Sequence, residues 1–139
     1  MNQATATAPM SGHRAPKAHR NTRLVRRFLI DVLAGGSERA ANDLIAPDAI
    51  IDLPTGRFSG PDGVRRASAQ FGSVFPDLRV EVSRLVADGD RVTARWRLCG
   101  TEQRELFGVP PSGEWTCLAG LSMARVAGNQ IIELRMTEG

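Results

Sequence analysis

The sequence predicts an α+β domain of the conical kind, with N-terminal helices packed on one face of a curved antiparallel sheet. Three observations predict it. Apolar residues recur at helical spacing from about residue 22 to residue 75, then at every second residue after Pro76. Turn signals separate the alternating runs at hairpin distances. The length, 139 residues and 15.0 kDa, suits one domain with one core. With 42% hydrophobic and 24% charged residues, the chain has the proportions of a globular protein, which argues against disorder throughout and against a coiled coil.

Residues 1–20 (MNQATATAPMSGHRAPKAHR) lack hydrophobic periodicity and read as a disordered tail, leaving residues 21–139 as the domain. His13 and His19 lie in that tail, where a solvated leader is the simpler reading than a metal-binding arm. Asn21 or Thr22 then caps a helix over 22–35, with Leu24, Val25, Phe28, Leu29 and Val32 at helical spacing and Gly35-Gly36 ending it. Ser37 caps a second short helix, which Pro47 closes, and AIIDL (49–53) is a short strand. GRFSGPDG reads as a turn-rich loop, with Pro61 placed to open a third helix whose apolar stripe is Val64, Ala67, Ser68, Phe71 and Phe75.

The strands follow. In LRVEV, Leu78, Val80 and Val82 share a face, and Asp88-Gly89 signals a hairpin. In RVTARWRL, Val92, Ala94, Trp96 and Leu98 form one face, and Arg91, Thr93, Arg95 and Arg97 the other. FGVPPSGE (107–114) is a loop, WTCLAGLSMARV (115–126) a long strand, and AGNQ turns it into IIELRM (131–136). Neither face of the 115–126 strand carries a charge before Arg125, so both need cover. Helices cover one side, and a second copy of the chain is the simplest cover for the other. The expectation is a homodimer through the sheet, the competing reading being an N-terminal segment folded over it. A curved sheet closed by helices leaves a conical cavity suited to a small molecule.

Charge and cysteine usage exclude several classes. The net charge of +3 belongs to the N-terminus, because Arg14, Lys17, Arg20 and Arg23 stand there without an acid, leaving 14 basic against 15 acidic residues in the rest. A near-neutral domain lacks the clustered positive charge of a nucleic-acid-binding face. Seventeen of the 18 basic residues are Arg, which reads as the codon bias of a GC-rich bacterial genome. No apolar run approaches the roughly 18–20 residues of a membrane span, and no secretory leader stands at the start, so a cytoplasmic protein is expected. Cys99 and Cys117 are too few for a zinc site and are expected to be reduced and inert. Gly56, Gly60 and Gly63 are not followed by the Lys-Ser/Thr of a phosphate loop.

FPDLRVEVSRLVADGDRVTARWRLCGT, LFGVPPSGEW and the hairpin ARV-AGNQIIEL resemble the SnoaL-like polyketide cyclases of the NTF2-like superfamily. The resemblance runs from about residue 22 to residue 136. Its specific parts are FPDL, the tryptophan strand ending in GT, and the FGVPPSG loop, while the helices match only in spacing. It implies a cone-shaped barrel, a dimer and a buried pocket. It also implies intramolecular aldol ring closure on a polyketide without metal or organic cofactor. The fold alone does not name a reaction, because relatives include hydroxylases, epoxide hydrolases, dehydratases and steroid isomerases.

Family cyclases carry a catalytic aspartate near the end of the last strand, two residues after a histidine. Those positions hold Met136 and Leu134 here. A polar pair on the preceding strand corresponds to Gly120 and Ser122, a first-strand histidine to Leu53, and a histidine after the GT step to Glu102. An aldol closure must remove a proton next to a carbonyl, and neither Met136 nor Leu134 can accept one. The base has moved, the reaction needs none, or the protein binds without catalysing.

Glu102 is the first candidate for a relocated acid or base, since a carboxylate against an apolar wall is pushed toward the working range; its plainer reading is a loop glutamate in solvent. Asp52 is the second, although alternation with Ile51 and Leu53 sends it outward unless a bulge turns it in. Trp96 is expected to line the cavity and stack on a ring substrate, and Ser122 to orient a carbonyl; ordinary core packing competes for both. Leu53, Phe71, Leu134 and Met136 complete the expected wall. The arginine stripe is expected to pair with Glu81, Glu133 and other outward acids. Phe107, Pro110, Pro111 and Trp115 read as a lid or a rigid connection. The expected function is a cofactor-independent cyclase of bacterial natural-product biosynthesis, acting on a small hydrophobic polycyclic or polyketide-derived substrate. The alternatives are a non-catalytic binder of a hydrophobic metabolite or a partner protein, and, more weakly, a hydratase or epoxide-opening enzyme.

Overall fold

The computed structural model describes residues 14–104 and 111–139. Helix α1 (Arg14–Arg27) starts well before the predicted residue 22 and passes without a break into π-helical turns over Phe28–Ala34. Residues 14–20 of the expected tail therefore belong to a helix, and residues 1–13, with His13, lie outside the described residues. The predicted caps fail for a visible reason. Asn21 is buried in mid-helix and its Nδ2 donates to the Gly89 carbonyl at 3.4 Å, while the Thr22 hydroxyl donates back to His19 O at 2.9 Å. Phe28, Leu29 and Val32 are buried as the spacing predicts, and Leu33 is buried beside them.

Ser37 caps α2 (Glu38–Leu44) as expected, accepting from the Ala40 N–H at 3.1 Å. Pro47 does not end that helix. The chain enters β1 (Ile45–Leu53) at once, and Pro47 sits where the β1 register shifts between Ile45 and Ile50, so its missing N–H costs no ladder bond. The predicted GRFSGPDG loop contains a strand, β2 (Gly56–Ser59), paired antiparallel to β1. Four mostly exposed edge residues carry too little alternation to announce a strand. Pro61 then opens α3 (Gly60–Val74), which buries Val64, Ala67, Ser68 and Phe71 on the predicted stripe.

Four long strands follow: β3 (Arg79–Asp88), β4 (Arg91–Thr101), β5 (Trp115–Ala127) and β6 (Gln130–Glu138). The six-stranded sheet has the order β2-β1-β6-β5-β4-β3. It is mixed, not wholly antiparallel as expected, because β1 runs parallel to β6. The helices pack on its concave face, and its two edges do not meet. This is the α+β cone the sequence predicts. In β3, Ser83 is an extra residue between Val82 and Arg84. This bulge shifts the alternation by one, so Leu85 and Ala87 join Val80 and Val82 against the core while Val86 turns outward.

Two braces hold the end of β4. Asp77 of the FPDL segment accepts from the Thr101 N–H at 2.7 Å and from the Thr101 hydroxyl at 2.8 Å. Gly100 makes this approach possible, since a Cβ there would stand 2.7 Å from Phe75 Cβ and 3.1 Å from Asp77 Oδ1. FPDL and GT, far apart in sequence, are thus the halves of one clasp. The second brace corrects the expectation of reduced, inert cysteines. Cys99 and Cys117 stand opposite each other across β4 and β5, with Cα atoms 4.1 Å apart, and are joined by a disulfide. That register is a tertiary fact which a separation of 18 residues does not reveal.

Reduction is expected to raise the intact mass by two hydrogens and to lower stability by roughly 2–3 kcal/mol on the loop-entropy argument. Mass spectrometry and thermal melts with and without reductant check both. The Thr101 backbone and hydroxyl hydrogen bonds hold the Asp77 carboxyl below its ordinary value of 3.8. Its contribution is therefore complete above that value and is lost as pH falls through the lower folded-state value. Asp77→Asn is expected to lower the melting temperature at neutral pH, and the gap to the native protein should narrow as pH falls below the ordinary carboxylate value of 3.8.

Candidate functional site

The pairing register decides what faces the helices. Trp96 of β4 stands opposite Gly120 of β5, and Ala94 opposite Ser122. Ser122 in turn stands opposite Met136 of β6, and Ala124 opposite Leu134. Large and small residues therefore alternate across the wall. At Gly120 the match is strict, because a Cβ there would collide with the Trp96 ring at Cζ2 and with the Thr137 carbonyl. The indole lies over a position that only glycine leaves free.

The residues expected to line a pocket come together. Trp96, Ser122, Leu134 and Met136 are at most 3% exposed on the concave face, and Leu53 and Phe71 close the same interior from β1 and α3. The side chains of Leu53, Phe71, Trp96, Leu134 and Met136 belong to one packed apolar cluster. Two clefts lie outside that interior. One, of about 370 Å³, runs along Arg27, Asp31, Ser37, Arg39 and Asp43; the other, of about 190 Å³, lies over the outer sheet face at Arg91, Met123, Arg125 and Arg135.

The two candidate acids behave differently. Asp52 follows strict alternation and points away from the interior that Ile51 and Leu53 enter. Its carboxylate accepts from Arg57 Nε at 2.7 Å and from Arg57 Nη2 at 3.3 Å, and this pairing keeps its pKa below the ordinary value. No bulge turns it inward, so Asp52 is a surface ion-pair residue remote from the wall. Glu102 is buried, at 9% exposure, but its Oε1 accepts from the Ser112 N–H at 2.9 Å. Its backbone bonds to Glu114 O (3.1 Å) and from Gly113 N (3.0 Å), so it clips the two sides of the β4–β5 connection together. Of the expected lid, Phe107 and Pro110 lie outside the described residues, and Trp115 is 55% exposed. Arg97 pairs with Glu81 at 3.3 Å, while Glu133 pairs with Arg125 and not with the stripe.

Among the described residues, Asn21, Ser68, Glu102 and Ser122 are the buried polar or charged ones. The first three have partners; Ser68, for example, donates to Leu33 O at 3.0 Å. Ser122 Oγ has none, and neither has Trp96 Nε1. A buried polar group left unpaired costs about 1–3 kcal/mol, so two on one wall require an explanation. Among the described residues, no three His, Cys, Asp or Glu side chains converge as a metal site would need. The wall carries two unpaired polar atoms among apolar side chains, and among the described residues it offers no carboxylate or imidazole to take a proton.

A family model described as SnoaL-like polyketide cyclase matches residues 23–138. The fold is shared with a provisionally assigned SnoaL-like polyketide cyclase from Jannaschia sp. CCS1, at TM-score 0.75 and 22% identity over 96% of this chain and 90% of that one. IdmH of Streptomyces antibioticus, provisionally a polyketide cyclase, matches at TM-score 0.73 and 27% identity over 86% and 92%. AclR of Streptomyces galilaeus, provisionally a hydroxylase, matches at TM-score 0.71 and 20% identity over 88% and 90%. No curated protein matches the sequence.

Proposed function

The chain belongs to the SnoaL-like polyketide cyclase family, and from that premise we propose that it closes or rearranges a ring of a small hydrophobic, polyketide-type substrate held against the concave face. The observation that carries this reading is the register that sets Met136 opposite Ser122 and Leu134 opposite Ala124. It puts thioether and aliphatic groups where the family resemblance places the aspartate and histidine of an aldol closure. A wall of that composition promotes reaction by holding a flexible substrate in its reactive shape, which lowers the entropic part of the barrier. Ring closure without removal of a proton fits it best. The likeness to IdmH, a protein provisionally assigned as a polyketide cyclase, supports the same class.

Two other readings have specific support. The missing proton acceptor also suits a protein that binds a hydrophobic metabolite, or serves a biosynthetic partner, without turnover. A hydratase or epoxide-opening enzyme would need a buried carboxylate, and Glu102 is the one such group among the described residues. No described helix is long and apolar enough to cross a membrane; the expected cytoplasmic location stands against the disulfide, since such bonds are rare there. The outer face of β5 supports a homodimer. Trp115, Leu121 and Met123 are exposed in one apolar line at the middle of the sheet.

Assayed against pathway intermediates, Glu102→Gln combined with Asp52→Asn is expected to keep turnover within about threefold of the native enzyme. A loss of about 10²-fold or more that Glu102→Gln reproduces alone, at an unchanged melting temperature, would assign general acid–base work to Glu102. Binding without turnover in the native protein would favour the non-catalytic reading. Leu121→Asp with Met123→Glu is expected to convert a dimer to a monomer in size-exclusion chromatography with light scattering. A native protein that already elutes as a monomer would remove the homodimer.

A further inference from the structure

We propose that Trp96 Nε1–H and Ser122 Oγ–H together form an anchor for the carbonyl oxygen of an otherwise apolar guest. The wall that lacks a proton acceptor holds and polarises a carbonyl instead. This inference rests on the reading of the concave face as the ligand site, and adds the chemical class of the ligand.

Both atoms are buried without a hydrogen-bond partner, and both belong to the same face of neighbouring strands. Trp96 lies across Gly120 with Cζ2 over the vacant Cβ position, and Nε1 is attached to the carbon next to Cζ2. Ser122 is two residues beyond Gly120 on the same face of β5, so the hydroxyl and the indole edge belong to one patch of the wall. The immediate neighbours do not satisfy them: Ala94 and Leu134 have no side-chain polar atom, and Met136 offers only a thioether, a weak acceptor.

The donors also limit the ligand. An indole N–H can only donate, so its partner must be an acceptor. The serine hydroxyl rotates and can donate to the same group, and a carbonyl oxygen has lone pairs for two donors. A carboxylate or phosphate fits poorly, because no buried cation among the described residues stands on this wall to compensate its charge. Room for the guest comes most easily from Met136, whose unbranched side chain repacks at low cost. A carbonyl accepting two hydrogen bonds is drained of electron density, which activates a conjugated double bond for ring closure with no proton removed.

The test uses the whole native chain and two tricyclic probes of one skeleton, 9-fluorenone and fluorene, which differ by a carbonyl in place of a methylene. Calorimetric titration is expected to show fluorenone bound about tenfold more tightly than fluorene, the scale of a buried hydrogen bond. Ser122→Ala and Trp96→Phe are each expected to lose most of that preference while fluorene binding persists. In ¹H–¹⁵N spectra, assigned with the help of Trp115→Phe, the Trp96 indole resonance should move downfield with fluorenone and not with fluorene. This measurement needs no variant at the anchor. Equal affinities together with the same indole response to both probes would overturn the anchor while leaving an apolar binding site. Failure of both probes to bind would overturn the anchor and the ligand-site reading together.

Discussion

Trp96 can lie across the sheet only because its cross-strand partner, Gly120, has no side chain. The rest of the wall follows from that contact. With Trp96 opposite Gly120, the antiparallel register fixes Ala94 against Ser122, and the β5–β6 hairpin then sets Met136 and Leu134 on the same surface. A slip of one residue would turn Trp96, Ser122 and Leu134 outward and bring Arg95, Leu121 and Arg135 in. The bulky indole and the missing Cβ therefore act as a register lock.

Buried apolar side chains, more than surface charge, stabilise this arrangement. Phe28, Phe71 and Phe75 are almost wholly buried, and each contributes about 1.5–3 kcal/mol on burial. The exposed pairs Arg97–Glu81 and Arg125–Glu133 contribute about 0–1 kcal/mol each. The end of β4 is treated differently from the middle of the sheet. There the chain uses directional bonds: the Asp77–Thr101 pair, the Cys99–Cys117 disulfide and the Glu102 clip. These sit where β4 leaves the sheet toward β5. Among the described residues, Val74 and Phe75 form a small second cluster there.

The acidic side chains that chemistry would have wanted are occupied by architecture. Asp52 is committed to Arg57 on the outer face, Asp77 to Thr101, and one oxygen of Glu102 to the Ser112 amide. The concave wall keeps an unpaired indole N–H and an unpaired hydroxyl, and no carboxylate or imidazole among the described residues. The proposed carbonyl anchor is an answer to that imbalance.

The alternation in β4 and β5, the stripe of α3, the Ser37 cap and the outward direction of Asp52 were all legible in the sequence. Each is set by side-chain period or by a bond within a few residues. That the last strand carries Met136 and Leu134, and no acid or imidazole at those positions, was legible too, since it is a matter of residue identity. What lay beyond the sequence has one common feature, dependence on partners distant along the chain. Asn21 became an interior tie because Gly89 arrives beside it, and Pro47 was tolerated in a strand because β6 pairs around it. The cysteines met because the β4–β5 register aligned them. Which buried polar atoms would be left unpaired was likewise a tertiary matter. Residue type states what a group can donate or accept, and only the packed neighbours decide whether anything is there to receive it.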